Sequence, residues 1–278
     1  GAADIIADKS IDAVLICTPT DTHADLIEQA AKAGKAVFCE KPVDLSADRV
    51  RACLKVVAET KAPLMIGFNR RFDPNFASLE KRLRGGAIGE IEMTTIISRD
   101  PAPPPAEYVK SSGGIFRDMM IHDLDLARFL VGEDFVVVNA LGAALVDKKI
   151  GAEGDCDTAA AQMQTASGKI AVITNSRRAA YGYDQRIEVH GSKGMLRAGN
   201  IHNTTVEVAT ADGFHGDPIL HFFTERYGQA YSNEVLTFID AVTNGKPVAP
   251  NGTDGLKAQK LADAATESWQ TGKPVKVS

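Results

Sequence analysis

Apolar residues in the first third of the chain come in short unbroken runs. Asp12 to Cys17, Ala36 to Cys39 and Leu64 to Phe68 are almost wholly aliphatic or aromatic. Runs of that length mark strands buried on both faces. Between them the apolar positions recur at helical spacing, from His23 to Ala33 and from Ser46 to about Thr60. Asp21 or Thr22 would cap the first of these helices and Ser46 the second, and Gly34 would end the first. A preceding stretch, Ala2 to Ala7, reads as the end of a short helix. Strands alternating with helices over short connections predict a parallel sheet with right-handed crossovers. Ligands of such sheets bind beyond the carboxyl ends of the strands. Those ends are Thr18-Pro19-Thr20, Glu40-Lys41-Pro42 and Asn69-Arg70-Arg71, all polar or charged.

The pattern then changes. Asp73 to Arg84 reads as a helix, and Glu90 to Ser98 alternates like a strand with one wet face. A proline-rich bend, Pro101 to Pro105, precedes a strongly apolar helix that ends near Gly132. From Phe135 to Val208 extended segments are separated by turns such as Ser167-Gly168, Tyr181-Gly182 and Gly191-Ser192. That stretch predicts a largely antiparallel sheet with one face covered by helices. Two amphipathic helices, Phe222 to Thr243 and Leu256 to Thr271, close the chain. The expected class is α/β: a parallel sheet in residues 1–68, then an α+β domain in residues 69–278 with a large, mostly antiparallel open sheet.

Composition narrows the choice. The chain has 278 residues, 44% of them hydrophobic and 24% charged, which is ordinary for a globular protein. A net charge of −5 argues against a nucleic-acid partner. No apolar run reaches the roughly 18 residues of a membrane span. The four cysteines, Cys17, Cys39, Cys53 and Cys156, have no metal-type spacing and read as reduced core thiols of a cytoplasmic protein. The chain begins with Gly rather than Met, and in mid-element. The expectation is that an N-terminal segment, with any targeting signal, precedes it.

The most specific chemical signal is Asp118 followed four residues later by His122 within the apolar helical pattern. Positions i and i+4 share a helix face. A carboxylate there can orient an imidazole, and an oriented imidazole is a good general base near neutral pH. Asp125 belongs to roughly the same face, and Lys41 ends the second buried run. Together they suggest proton transfer on a hydroxyl or carbonyl group. Plainer readings stand beside this one. Asp118 and His122 can be a surface or capping pair, or with Asp123 or Asp125 part of a metal-dependent hydrolase, although no further ligand follows at helical spacing. Lys41 can be a solvated strand end, and Arg70-Arg71 surface charge with Asp73 as a helix cap.

The order of these segments carries a resemblance. Cys17-Thr18-Pro19-Thr20-Asp21-Thr22-His23, then Glu40-Lys41-Pro42, then Gly67-Phe68-Asn69-Arg70-Arg71-Phe72-Asp73, then Gly113-Gly114 with Asp118 and His122, closely resembles the Gfo/Idh/MocA family of NAD(P)-dependent sugar and cyclitol dehydrogenases. Arg99-Asp100-Pro101 and Tyr181 to Arg186 point toward its inositol-oxidising members. The resemblance covers nearly the whole chain. It implies that residues 1–68 are the C-terminal part of a dinucleotide-binding Rossmann domain and that residues 69–278 bind substrate and form oligomers. The implied activity is NAD-dependent oxidation of myo-inositol or a close cyclitol to its keto form. Another sugar or cyclitol dehydrogenase, or a catalytically silent sugar-binding relative, is the alternative.

By position, Lys41 resembles the lysine that bridges cofactor and substrate. His122 resembles the general base and Asp118 its acidic partner. Arg71, Asp125 and Tyr183 resemble substrate contacts, and Thr18, Pro19, Thr20, His23, Glu40 and Lys41 line the nicotinamide and ribose. No metal is implied. The implied partners are a small polyol and further copies of the chain, as a homodimer or homotetramer built through the C-terminal sheet. One departure is large. No Gly-x-Gly-x-x-Gly occurs, nor the acidic residue that selects NAD over NADP. Such a turn offers backbone N–H groups and a helix N-terminus to the pyrophosphate, so without it weak cofactor binding is expected.

Overall fold

A computed structural model describes residues 1–277. The first unit runs α1 (Ala2–Ala7), β1 (Ala13–Ile16), α2 (His23–Lys32), β2 (Ala36–Glu40), α3 (Ala47–Thr60) and β3 (Leu64–Gly67). Its three strands pair in parallel in sequence order, with Leu15 beside Phe38 and Phe38 beside Met65. All four residues of β3 and the first four of β2 are buried, as the unbroken apolar runs require. Ser46 caps α3 through its side chain, which accepts from the Arg49 N–H at 3.4 Å. The α2 cap differs from expectation. A 3₁₀ turn at Thr20–Thr22 leads into the helix, and the Thr22 hydroxyl donates back to the Pro19 carbonyl at 2.7 Å.

A second 3₁₀ turn, Asn69–Phe72, leads to α4 (Pro74–Arg84). Asp73 caps this helix, accepting from the Asn75 and Phe76 N–H groups at 3.1 Å each, with Pro74 at the first helical position. Next come β4 (Ile91–Arg99), α5 (Ala106–Ser112), α6 (Gly114–Asp118), α7 (Met120–Val131), β5 (Phe135–Ala143) and α8 (Lys148–Ala152). Strands β6 (Thr158–Thr165), β7 (Ile170–Ser176), β8 (Asp184–Gly191) and β9 (Gly194–Ala198) follow, then an exposed hairpin, β10 (Glu207–Thr210) with β11 (Gly213–Gly216). The chain closes with α9 (Phe223–Arg226), α10 (Gly228–Thr243), α11 (Gly252–Thr271) and β12 (Val275–Lys276).

Seven of these strands form one sheet in the order β12-β5-β6-β7-β4-β8-β9. Only the β4–β7 pair in it is parallel. The expected α/β class, with a Rossmann-type parallel sheet and a large mixed sheet beside it, is what the chain adopts. Thr94, Ile96 and Ser98 of β4 and Ala171, Ile173 and Asn175 of β7 point inward, where α7 covers them, while α11 packs on β5 beside it. The opposite face carries Met93, Ile97, Val172, Leu141 and Met195 and is covered by none of these helices. No helix among the described residues is long and apolar enough to cross a membrane.

Three sequence expectations are corrected. Asp118 and His122 do not share one helix, because Met119 (φ −93°, ψ −57°) closes α6 and α7 begins after it. The helix expected over Phe222 to Thr243 is broken at Tyr227 into α9 and α10. Three cysteines are buried thiols, whereas Cys17 is exposed at the end of β1.

Candidate active site

The carboxyl ends of the parallel strands face a cleft of about 260 Å³ closed on its far side by the seven-stranded sheet. Lys41, one residue past β2, enters it from the small sheet, while Asp118, His122 and Tyr183 enter from α6, α7 and the turn before β8. Four of the residues singled out from sequence therefore converge on one space.

Lys41 is held across the divide. Its Nζ donates to the Asp118 backbone carbonyl at 2.6 Å and lies 3.4 Å from Asp118 Oδ1. Asp118 also accepts from the Tyr108 hydroxyl at 3.0 Å and from Arg177 Nη2 at 3.1 Å. Burial works to raise the Asp118 pKa, but Lys41 and Arg177, with the Tyr108 bond, outweigh it and hold the carboxyl below its ordinary range. The start of α6 is fixed by its own backbone. Gly113 and Gly114 both have φ +83°, and a side chain on Gly114 would meet Asp155 Oδ1 at 2.8 Å.

His122 packs edge-on against Phe68, with ring centroids 6.5 Å apart. Burial, then the charges of Lys41 and Arg70, push its pKa well below the ordinary value. The imidazole is therefore neutral at pH 7. Its Nδ1 is buried and meets no hydrogen-bond partner among the described residues. Asp118 is not bonded to it. The carboxylate expected to orient the histidine instead orients the lysine, because the break at Met119 takes the two residues out of helical register.

Beneath the cleft lies a buried polar network. Asp123 accepts from Arg70, from the Ser98 hydroxyl at 2.6 Å and from Asn175 Nδ2 at 2.8 Å. Gln185 Oε1 accepts from the Tyr227 hydroxyl at 3.2 Å and lies 3.0 Å from the Ser98 hydroxyl oxygen. These bonds fasten α7, and hence His122, to β4 and β7. Tyr183 meets Tyr227 edge to face at 5.9 Å. Tyr183 lines the cleft, as the resemblance leads one to expect, and Tyr181 does not. Tyr181 instead donates to Asp184 at 2.6 Å.

Arg71 and Asp125 do not reach the cleft. They form a bidentate pair at 2.8 and 2.5 Å, shared with Asp254, in a separate pocket behind α7. The neighbouring Arg70 lines the cleft instead, with Asn69, Asp100, Tyr108, Tyr231 and Arg177. Sequence reading missed these as site residues. For Asp100 the signal was its place directly after an alternating strand; Arg177 offered none. Burial pushes Asp100 up to about 6 against the pull of Arg177.

Of the expected cofactor-lining residues, Thr18 and Pro19 are exposed at the end of β1, and Thr20 and Glu40 are half-buried beside them. Glu40 is raised by burial against the pull of Lys41. His23 is buried: Nδ1 contacts the Pro42 carbonyl at 2.8 Å and Nε2 the Thr18 carbonyl at 2.7 Å. It joins the two turns and does not line a surface. The open rim at Thr18 to Thr20, Glu40 and Lys41 fits the nicotinamide end of a dinucleotide, at the strand ends where such cofactors bind. No glycine-rich phosphate turn is present to fit the other end. Among the described residues no group of three or more His, Cys, Asp or Glu is placed to hold a metal ion.

Comparison with known proteins identifies the fold's relatives. Residues 2–68 match the NAD-binding Rossmann fold of an oxidoreductase family, and residues 80–277 match that family's C-terminal alpha/beta domain. The inositol 2-dehydrogenase of Rhizobium meliloti is 61% identical over 264 residues, 95% of this chain and 80% of that protein. The crystal structure of a myo-inositol dehydrogenase from Corynebacterium glutamicum superposes with a TM-score of 0.96 at 45% identity, covering 100% of this chain and 84% of that one. A scyllo-inositol dehydrogenase from Lactobacillus casei, solved with NAD(H) and scyllo-inositol, superposes with a TM-score of 0.92 at 33% identity, covering 100% and 83%.

Proposed function

This chain belongs to the Gfo/Idh/MocA oxidoreductase family as an NAD-dependent dehydrogenase, and we propose that it oxidises myo-inositol or a close cyclitol to the keto-inositol. The observation that carries this reading is the meeting of Lys41, Asp118 and a neutral His122 in one cleft at the carboxyl edge of the parallel sheet. Relatives named for inositol oxidation, one of them solved with NAD(H) and a cyclitol, support the choice of substrate.

Oxidising a secondary alcohol removes a hydride from carbon and a proton from oxygen. When bound, the nicotinamide ring supplies the hydride acceptor. His122 takes the hydroxyl proton, for which a neutral imidazole lining the cleft is prepared. Lys41 donates a hydrogen bond to the oxygen as negative charge develops on it. Asp118 holds that ammonium in place rather than touching the base. Tyr183, with Asn69, Arg70 and Asp100 around it, fences the remaining hydroxyls and fixes which carbon is presented. Arg71 and Asp125, placed behind α7, have no part in that fence.

The division of labour we propose falls between residues 68 and 69, with residues 1–68 holding the cofactor and residues 69–278 the substrate. The face of the seven-stranded sheet that no helix among the described residues covers carries Met93, Ile97, Leu141, Val172 and Met195 among polar neighbours, and supports assembly into a homodimer or homotetramer. Four free cysteines support a reducing, cytoplasmic compartment.

The test follows NADH absorbance with a panel of inositol isomers and simple sugars. His122→Ala is expected to lower kcat by about 10² to 10⁴-fold while NAD affinity is kept. Unchanged turnover in that variant overturns the role of His122, and reduction of NAD by sugars but by no inositol moves the substrate elsewhere in the family.

A further inference from the structure

Arg177 follows β7 directly and is 3% exposed. Its backbone N–H donates to the Asp157 carbonyl at 2.8 Å, which fixes the turn it stands on. Its Nη2 donates to Asp118 Oδ2 at 3.1 Å, and its Nη1 lies 3.8 Å from Asp100 Oδ2. Its Nε is buried with no partner among the described residues, and the side chain lines the cleft. Lys41 approaches the other oxygen of Asp118 from the opposite sheet, 3.4 Å away.

One carboxylate thus has two cations, one from each half of the molecule. A guanidinium is a rigid, permanently charged fork, so it orients a carboxylate where an ammonium only attracts it. Arg177 also separates Asp118 from Asp100, which would otherwise repel each other across the cleft. Asp118 is faced by Lys41 beyond β2, Tyr108 on α5, Arg177 beyond β7 and Asp100 beyond β4, with Asp155 behind α6. His122 on α7 lines the same cleft.

We propose that Arg177 is a positioning residue of the dehydrogenase site, fixing the Asp118 carboxylate and, through it, the ammonium of Lys41. The proposal rests on the dehydrogenase reading above. Arg177 itself moves no proton. It sets where the hydrogen-bond donor for the reacting oxygen stands.

Two substitutions test this, Arg177→Gln and Arg177→Lys. In the Gln variant kcat/KM for the cyclitol is expected to fall by about 10²-fold, the usual cost of a misplaced catalytic group, with KM for NAD unchanged. The loss deepens below pH 7, because Asp118 and Asp100 have lost a cation and bind protons at higher pH. The Lys variant keeps the charge, so it restores the pH profile but not the full kcat. An equal loss at every pH together with weakened NAD binding overturns the proposal, as does a wild-type kcat in the Lys variant. The Lys variant alone decides the matter if the Gln variant does not fold.

A readout free of turnover separates this proposal from the one it rests on. The carboxyl carbon of Asp118, assigned in NMR spectra by its loss in Asp118→Asn, is titrated in wild type and in Arg177→Gln. Its midpoint is expected to rise by about one pH unit or more in the variant. An unchanged midpoint overturns the Arg177 role. A raised midpoint in a protein that oxidises no cyclitol upholds the Arg177–Asp118 coupling and overturns the substrate assignment instead.

Discussion

Glu234 is buried on α10, and its Oε2 meets no hydrogen-bond donor among the described residues. Burial, with the Glu40 carboxylate nearby, pushes its pKa up to about 9. It therefore folds as a neutral acid, and unfolding at neutral pH releases its proton. The contribution is complete below pH 4.5, the ordinary value for the unfolded chain, and is lost as pH rises toward 9. Glu234→Gln keeps the shape without the ionisation. It should melt close to wild type at pH 5 and roughly 5 °C higher at pH 8.5, read by differential scanning calorimetry. A gap that does not widen with pH would show that Glu234 ionises in the fold without penalty. The same single-residue logic separates what sequence could and could not reveal about the cleft. Lys41 and His122 were legible because they end a buried run and interrupt an apolar helix, places where a charged or titratable group needs a reason. Arg177 was not, and Asp100 stood out only by its place after an alternating strand, without its partner. They meet only because β4 and β7 pair in parallel, with Arg99 beside Ser176, and nothing local announces a contact between segments so far apart in the chain.

At the scale of elements, the clamp behind α7 shows how the helix that carries His122 is kept in place. Arg71 grips Asp125 with two hydrogen bonds, and Asp254 at the start of α11 shares the charge with Arg128. The guanidinium lies over the Phe129 ring at 4.7 Å. The clamp links the turn after β3, the helix of His122 and the N-terminus of α11. Both partners are almost fully buried, so removing one leaves an uncompensated charge. Arg71→Met is expected to cost about 3 to 5 kcal/mol in urea denaturation. Pairing it with Asp125→Leu should recover most of that loss, because two apolar groups strand no charge. A double variant no more stable than the single one would place the cost in packing rather than charge. The i, i+3 spacing of His122 and Asp125 suggested a shared active-site face. The spacing was sound, but α7 presents one flank to the cleft and another to α11. Periodicity gives the angle between residues and not which neighbour each will meet. The break at Met119 was illegible for a related reason. All residues from Ile115 to Ile121 are compatible with one continuous helix, and only the positive φ of Gly113 and Gly114, set against Asp155, fixes where the first turn must end.

Across the whole molecule the two sheets are joined mainly by α11, which packs on both β3 and β5. Gly255 lets it approach the parallel sheet, where a side chain would meet Val43 at 3.3 Å and Ile66 at 3.4 Å. The outer face of the large sheet has no such cover. Val172 sits at its centre, beside Thr95 and Gln162. Val172→Glu would place a charge in the middle of any self-association through this face. Light scattering is expected to show a smaller species, with the fold seen by circular dichroism unchanged; an unaltered mass would move the interface elsewhere. The order of the small sheet and the mostly antiparallel character of the large one were readable, since buried runs and alternating runs distinguish a sheet covered on two faces from one covered on a single face; the strand order of the large sheet was not.

His23 sits between the Thr18 and Pro42 carbonyls, and its consequence reaches past the residues it touches. The turn at Thr18, at the mouth of the cleft, and the turn that carries Lys41 are parts of a single bracket. Refitting the first turn to a different dinucleotide would therefore tilt the second and carry Lys41 away from Asp118 and the cleft. A successful change of cofactor would require both turns to be redesigned together, with the histidine between them kept.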